Sequence, residues 1–107
     1  MSYPLENALF QWEEGHRALQ TIDDSRERRQ ADRVVGAIEV ELRRRIGPTF
    51  GAGELAELYG RGTDWCLQVA ADTVPGLDVD PRSLADAAFW LYLRRATDFA
   101  GGRPLPA

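Results

Sequence analysis

The segment from Asp24 to Pro48 constrains the fold most, because it predicts one helix of unusual length for a chain of 107 residues. Its second half has apolar side chains every three or four positions, the spacing that forms one apolar stripe on a helix. These are Val34, Val35, Ile38, Leu42 and Ile46. The first half offers only Ala31 to a core. Since a helix of roughly 23 residues is about 35 Å long, more than so small a domain needs, we expect the first half to project from the fold.

Length and composition exclude several classes of protein. A chain of this length has room for one domain with one core. The apolar share of 44% and the charged share of 28% are ordinary for a globular protein and argue against disordered and fibrous classes. No apolar run reaches the roughly 18 residues of a membrane span, and the N-terminal residues lack the basic start of a secretory signal. A single cysteine excludes an internal disulfide. We therefore expect a cytoplasmic protein with no membrane partner.

Cap and turn residues divide the chain into five predicted helices. They run from Pro4 to about Gln20, from Asp24 to Gly47, from Gly51 to Gly60, from Thr63 to just before Pro75, and from Asp80 to Phe99. No segment alternates with period two, so we predict no sheet. The predicted fold is all-α, a single compact bundle of about five helices over residues 1–100, with a flexible C-terminal tail over residues 101–107.

The fifth predicted helix is apolar on more than one side, so it must be covered on more than one side. Leu84, Ala87, Ala88 and Leu91 occupy one face, and Phe89, Trp90 and Leu93 occupy others. We favour a central position in the bundle. The alternative is a homodimer in which Phe89, Trp90 or Tyr92 crosses a two-fold axis, because aromatic side chains are enriched at protein interfaces.

Charge is unevenly distributed along the chain. All thirteen basic residues are Arg, which a G+C-rich coding sequence explains without any functional reason. The chain has a net charge of −4, yet residues 24–46 carry seven Arg against five acidic residues and are net basic. Guanidinium groups bind carboxylates and phosphates in a forked geometry, which suits them to an acidic partner.

The first half of the second helix therefore gives the clearest functional signal. Arg26, Arg29 and Arg33 share one helix face, and Arg28 lies to one side of it. We predict that these four residues form the docking surface of an interaction or regulatory module for an acidic protein partner. The alternative is an ordinary solvated face. A nucleic-acid backbone would also attract the four Arg side chains, but the negative net charge of the chain disfavours it.

Residues 50–73 resemble the helix-turn-helix of bacterial transcriptional regulators, which gives the alternative function of a nucleic-acid-binding regulator. The resemblance depends on Ala56 and Gly60, where a small residue lets two helices cross and a glycine forms the turn. The sequence departs from the pattern at Arg61, where an apolar residue is usual. It departs again at Asp64 and Asp72, because carboxylates on a recognition helix repel phosphates.

No stretch of the sequence contains a complete set of catalytic or metal-binding residues. Glu13 and His16 have the spacing of a metal-binding pair on a helix, but this chain has one histidine and a full di-metal site needs more ligands. The nearest charged neighbour of Cys66 in the sequence is Asp64, whose carboxylate disfavours a thiolate, and we interpret Cys66 as a buried structural thiol. We predict no catalytic residues, no metal, no cofactor and no enzymatic activity.

Four phrases are similar to small, uncharacterised helical proteins of high-G+C actinobacteria. They are PLENALFQWEEGHRAL, VVGAIEVELRRRIGPTF, ELYGRGTDWCLQVA and ATDFAGGR. The resemblance covers nearly the whole chain. It implies a bacterial cytoplasmic protein and brings with it no activity and no site residues.

Overall fold

The computed structural model describes residues 3–100 and 103–105. The elements follow in the order α1 Leu5–Gln20, α2 Ser25–Ile46, α3 Ala52–Gly60, α4 Asp64–Thr73, α5 Pro81–Leu93, β1 Phe99–Ala100 and β2 Arg103–Pro104. Helices account for most of the described chain, which confirms the predicted all-α bundle and its long second helix. The fold measures 43 × 24 × 22 Å and is elongated, because α2 alone is roughly 33 Å long. No helix of the described part is long and apolar enough to cross a membrane.

Local capping bonds start two helices where the sequence predicts them. The Asp24 carboxylate accepts a hydrogen bond from the Glu27 backbone N–H at 2.9 Å, and the Asp80 carboxylate accepts one from the Arg82 backbone N–H at 3.0 Å. Each bond satisfies a backbone donor that the first turn of a helix leaves without a partner. At the other end of α2, Gly47 has a φ of +83°, a left-handed conformation that glycine adopts without steric cost.

The fifth helix is shorter than predicted, since α5 ends at Leu93 and not at Phe99. Beyond its end, the Asp98 carboxylate accepts a hydrogen bond from the Ala52 backbone N–H at 2.8 Å. Asp98 thus caps the first turn of α3, whose own N-cap residue is a glycine without a side chain. The chain must turn back towards α3 to make this bond, and a helix continuing to Phe99 would carry Asp98 past it.

A short antiparallel hairpin follows α5, so the prediction of no sheet is wrong for this segment. Phe99 pairs with Pro104, and Ala100 pairs with Arg103. Strands of two residues are too short to produce the alternation by which a strand is recognised in a sequence. Residues 101, 102, 106 and 107 of the predicted flexible tail lie outside the described residues, and the flexibility of the tail stays a prediction.

Helix α5 lies at the centre of the bundle and packs against each of the other four helices. This arrangement agrees with the position that we favoured from its apolar composition. Its buried side chains are Leu84, Ala85, Ala87, Ala88, Phe89, Tyr92 and Leu93. The most extensive helix contact in the chain joins α5 to α1, and the two helices come close together at Gly15.

An aromatic cluster fills the core where α1, α3 and α5 meet. The rings of Trp12 and Phe89 stack with their centroids 5.5 Å apart. The ring of Tyr59 lies edge-on to both, at 5.6 Å from Trp12 and 5.1 Å from Phe89. Stacked and edge-to-face pairs of this kind contribute about 0.5–1.5 kcal/mol each beyond the area they bury. The cluster therefore fixes α5 against the two helices that carry its aromatic neighbours.

Candidate functional site

Three of the four Arg residues predicted to bind a partner form one exposed row on α2. Arg26, Arg29 and Arg33 are exposed and fall within an arc of roughly 60° on the helix surface. We call these three residues the Arg surface. Within residues 3–100 and 103–105, none of the three has a carboxylate within salt-bridge distance. The buried Ala31 holds this part of α2 against the bundle, and the row therefore faces solvent.

Arg28 lies apart from the Arg surface and is engaged within the fold. Its guanidinium Nη1 donates a hydrogen bond to the Leu19 carbonyl oxygen at 3.4 Å, close to the C-terminal end of α1. Its Nε lies 3.5 Å from Asp32 Oδ1. A cation at a helix C-terminus interacts favourably with the carbonyl groups that the last turn leaves unpaired. The structure thus gives Arg28 a role in joining α2 to α1.

Arg33 combines exposure with a similar contact to another helix. Its Nη2 donates a hydrogen bond to the Thr73 carbonyl oxygen at 3.3 Å, and Thr73 is the last residue of α4. Arg28 and Arg33 together hold the first half of α2 against the ends of two helices. The expectation that this half projects freely is therefore wrong, because its polar side chains find backbone partners that a sequence does not reveal.

The three residues predicted as dimer contacts lie at very different depths. Phe89 is 0% exposed and Tyr92 is 3% exposed, since the first belongs to the aromatic cluster and the second stacks on Phe50 with ring centroids 5.1 Å apart. Both side chains are covered by their own chain. Trp90 is half-buried and is the one member of the three that reaches the surface.

Trp90 lies in an apolar groove between α1 and the chain that follows α5. The groove consists of two adjoining cavities, of about 340 Å³ and about 140 Å³, which share Trp90 and Phe99 in their walls. We call it the Trp90 groove. Its apolar walls are formed by Leu9, Phe10, Trp90, Leu91, Leu93 and Phe99. Phe10, at its rim, is 64% exposed.

Charged and titratable side chains border the Trp90 groove on both sides. Glu13, Glu14 and Arg17 line the larger cavity, where Arg17 forms salt bridges with both carboxylates. His16 and Arg94 line the smaller cavity. Burial lowers the pKa of His16, and the positive charge of Arg94 lowers it further. Both effects favour the neutral form of the imidazole, and the carboxylate of Glu13 opposes them in part.

Sequence reasoning did not identify the groove, although one signal was present. Phe10 falls outside the apolar face of α1 that contains Leu9, Trp12 and Leu19. Such an exposed aromatic side chain indicates a contact surface only where further apolar groups lie beside it, as Trp90 and Phe99 do here. The sequence does not indicate that Phe99 lines the groove, because it predicts a helix through that position.

The helix pair that resembles a helix-turn-helix packs differently from that motif. Helix α3 packs mainly against α1, α2 and α5, whereas α4 packs mainly against α2 and α5. In the described chain, the turn between α3 and α4 takes its positive φ at Gly62, not at Gly60. Gly60 is small for another reason, because a Cβ there would lie 2.5 Å from the Cβ of Tyr3.

The other candidates for chemistry occupy sites that suit structural roles. Glu13 is paired with Arg17, and the ring of His16 lies 6.2 Å from that of Trp90. Among the residues that the structure describes, no group of three His, Cys, Asp or Glu side chains is placed to hold a metal ion. Cys66 is buried, and burial raises the pKa of its thiol to about 12, which opposes formation of the reactive thiolate.

Comparisons with known proteins bring no further information on these two surfaces. No protein-family model matches the chain, and neither a curated protein nor a solved structure matches it. The resemblance to small actinobacterial proteins thus stays a prediction from the four phrases in the sequence. The Arg surface and the Trp90 groove are the two features from which a function can be argued.

Proposed function

We propose that the protein is a non-enzymatic interaction module that binds an acidic protein through the Arg surface. One observation carries this proposal: Arg26, Arg29 and Arg33 are exposed along one narrow sector of α2, and no carboxylate of the described residues pairs with them. Forked guanidinium groups in such a row can each bind a carboxylate of a partner. The proposal includes a cytoplasmic location, which a chain with one cysteine supports.

Four other Arg side chains of the described chain have acidic partners, whereas Arg43 and Arg61, like the Arg surface, have none. Arg17, Arg28, Arg44 and Arg45 each lie within 4 Å of a carboxylate on their own helix. Like charges three or four positions apart on a helix cost a few tenths of a kcal/mol per pair. An uncompensated row therefore lowers the stability of α2, and a partner that supplies carboxylates would offset this cost.

An acidic protein fits the surroundings of the row better than a nucleic acid does. Exposed Asp23, Asp24 and Asp32 lie next to the row in sequence, and the chain as a whole has a net charge of −4. A polyphosphate backbone extends over a long distance and would approach these carboxylates, which repel it. The acidic side chains of a protein partner can contact the three guanidinium groups without approaching the carboxylates. The acidic protein is accordingly the partner that we propose, and a nucleic acid is the alternative.

The experiment compares two double variants that remove the same charge from different places. Arg26→Gln with Arg29→Gln removes most of the Arg surface but keeps Arg33, because Arg33 also bonds to α4. Arg43→Gln with Arg61→Gln is the control, since both residues are exposed and neither has a carboxylate partner among the described residues. The two variants and the wild type are titrated into a labelled poly-glutamate peptide and a DNA duplex of about 20 base pairs. Fluorescence anisotropy is the measurement.

We expect the wild type and the control to bind poly-glutamate, and the Arg26 and Arg29 variant to bind it at least about tenfold more weakly. Affinity should fall with added salt, because exposed charges are screened. An equal loss of affinity for poly-glutamate in both double variants would mean that net charge alone governs binding, and it would contradict the proposal. Tighter binding of the wild type to the duplex than to poly-glutamate would favour the nucleic acid instead.

A further inference from the structure

The surface around Trp90 combines a projecting aromatic side chain with an apolar recess. Phe10 is 64% exposed on α1, and the Trp90 groove begins directly beside it. A single exposed apolar residue is ordinary on a protein surface. An exposed Phe at the rim of an apolar groove is less ordinary, because the two together form a continuous apolar patch that water covers at a cost.

The projection and the recess suit a second copy of the same surface. A two-fold interface brings the same patch of both subunits together, so any feature on one side must fit a feature on the same patch of the other. A patch that carries both a projection and a recess meets this requirement. Phe10 of one copy would enter the Trp90 groove of the other copy, and the reverse contact would follow from the symmetry.

The charges that border the groove also suit a second copy. Glu13 and Glu14 stand on one side with Arg17, and Arg94 stands on the other, so the two signs balance. A strongly acidic or strongly basic partner would meet like charge on part of this border. A second copy presents the same balanced set, and two-fold symmetry can place the carboxylates of one copy near the guanidinium groups of the other.

We propose that this face joins two copies of the chain in a symmetric dimer, with Phe10 of each copy packed against Trp90 in the groove of the other. This dimer does not involve the Arg surface, which lies on α2. Failure of the dimer and failure of the proposed binding of an acidic protein can therefore be distinguished. Phe89 and Tyr92 stay in the core of each copy.

The test is the concentration dependence of the molecular mass, measured by sedimentation equilibrium from about 1 µM to about 1 mM. We compare the wild type with Phe10→Glu and with Val40→Glu. Val40 is a suitable control because it is 56% exposed and lies on α2 away from the groove. Both substitutions add one negative charge at an exposed apolar site, and neither position belongs to the core. Circular dichroism establishes that both variants are folded.

We expect the wild type and Val40→Glu to dimerise with similar dissociation constants. Phe10→Glu should weaken the dimer at least about 100-fold, because it places a charge against apolar groove walls. A wild type that is monomeric over the whole range would overturn the proposal. Retention of the dimer in Phe10→Glu, or its loss in Val40→Glu alone, would place the interface elsewhere and would overturn it too.

Discussion

Gly15 of α1 lies so close to Asp86 of α5 that a Cβ on the glycine would stand 2.4 Å from the Asp86 Cβ. The same Cβ would lie 2.7 Å from the Ser83 carbonyl oxygen, so the helix backbone itself would be in the way. The two helices touch here almost backbone to backbone. This contact sits in the most extensive helix pair of the bundle.

We expect Gly15→Ala to lower the free energy of unfolding by about 1–3 kcal/mol or more, because the added methyl forces α1 and α5 apart. Urea unfolding followed by circular dichroism measures the change. Gly36→Ala is the matched control, since Gly36 lies inside α2 with nothing within 4 Å of its absent Cβ. That variant should be stabilised by about 0.5–1 kcal/mol, as expected for a helix interior. Similar effects of the two substitutions would contradict the close contact at Gly15.

Asp86 should make the stability of the protein depend on pH. Burial raises the pKa of Asp86. The Tyr59 hydroxyl donates a hydrogen bond to the Asp86 carboxylate at 2.8 Å, and this bond offsets part of the rise in the pKa. The folded protein thus binds this proton more tightly than the unfolded chain does. The contribution of Asp86 to stability therefore grows as the pH falls through the raised pKa, and it is lost as the pH rises.

Asp86→Asn removes this titration. The free energy of unfolding of the wild type minus that of the variant should increase as the pH falls from about 7 to about 4. Urea unfolding at a series of pH values gives this difference, in which the other carboxyl groups cancel. A difference that stays constant or shrinks towards acid would be inconsistent with a raised pKa at Asp86.

Cys66 should react slowly in the folded protein. Burial raises the pKa of its thiol to about 12, so the thiolate is scarce at neutral pH and reagents cannot reach it. Labelling by a chromogenic disulfide should be at least about 100-fold slower in buffer than in denaturing urea. The measurement reports on one group, because the chain has one cysteine. Equal rates in the two conditions would mean that the thiol is accessible in the native state.

Asp98→Ala should lower the free energy of unfolding by about 1 kcal/mol, the usual cost of losing a helix cap. The carboxylate accepts the Ala52 N–H at the start of α3, and alanine leaves this donor without a partner. Asp78→Ala provides the comparison, because Asp78 is also exposed and has no salt bridge among the described residues. Thermal unfolding by calorimetry should separate the two variants, and equal melting temperatures would argue against the cap.

The sequence predicts those parts of the fold that depend on neighbours along the chain. Asp24 and Asp80 mark the starts of α2 and α5 because a cap and its backbone donor are only two or three residues apart. The apolar stripe of α2 and the all-round apolar character of α5 follow from helical spacing in the same way. These features give the five helices and the central position of α5.

Contacts between distant residues account for the parts that the sequence did not predict. The Asp98 carboxylate accepts a hydrogen bond from the Ala52 backbone N–H across 46 positions. This contact requires the chain to turn back after α5, where periodicity alone predicts that the helix continues. Arg33 reaches Thr73 across 40 positions, so a side chain predicted to be free has a second role. The Trp90 groove depends on how α1 approaches the hairpin, and no local pattern encodes that approach.

The pairing of α1 with α5 also has a consequence for the order of events during synthesis. Each of these helices finds its principal packing surface in the other, and the chain between them contains three further helices. A nascent chain can form α2 from local interactions, but its core must wait until Leu93 has left the ribosome. Closing so long a loop is slow relative to forming single helices. We therefore expect the protein to fold in one late step rather than helix by helix during translation.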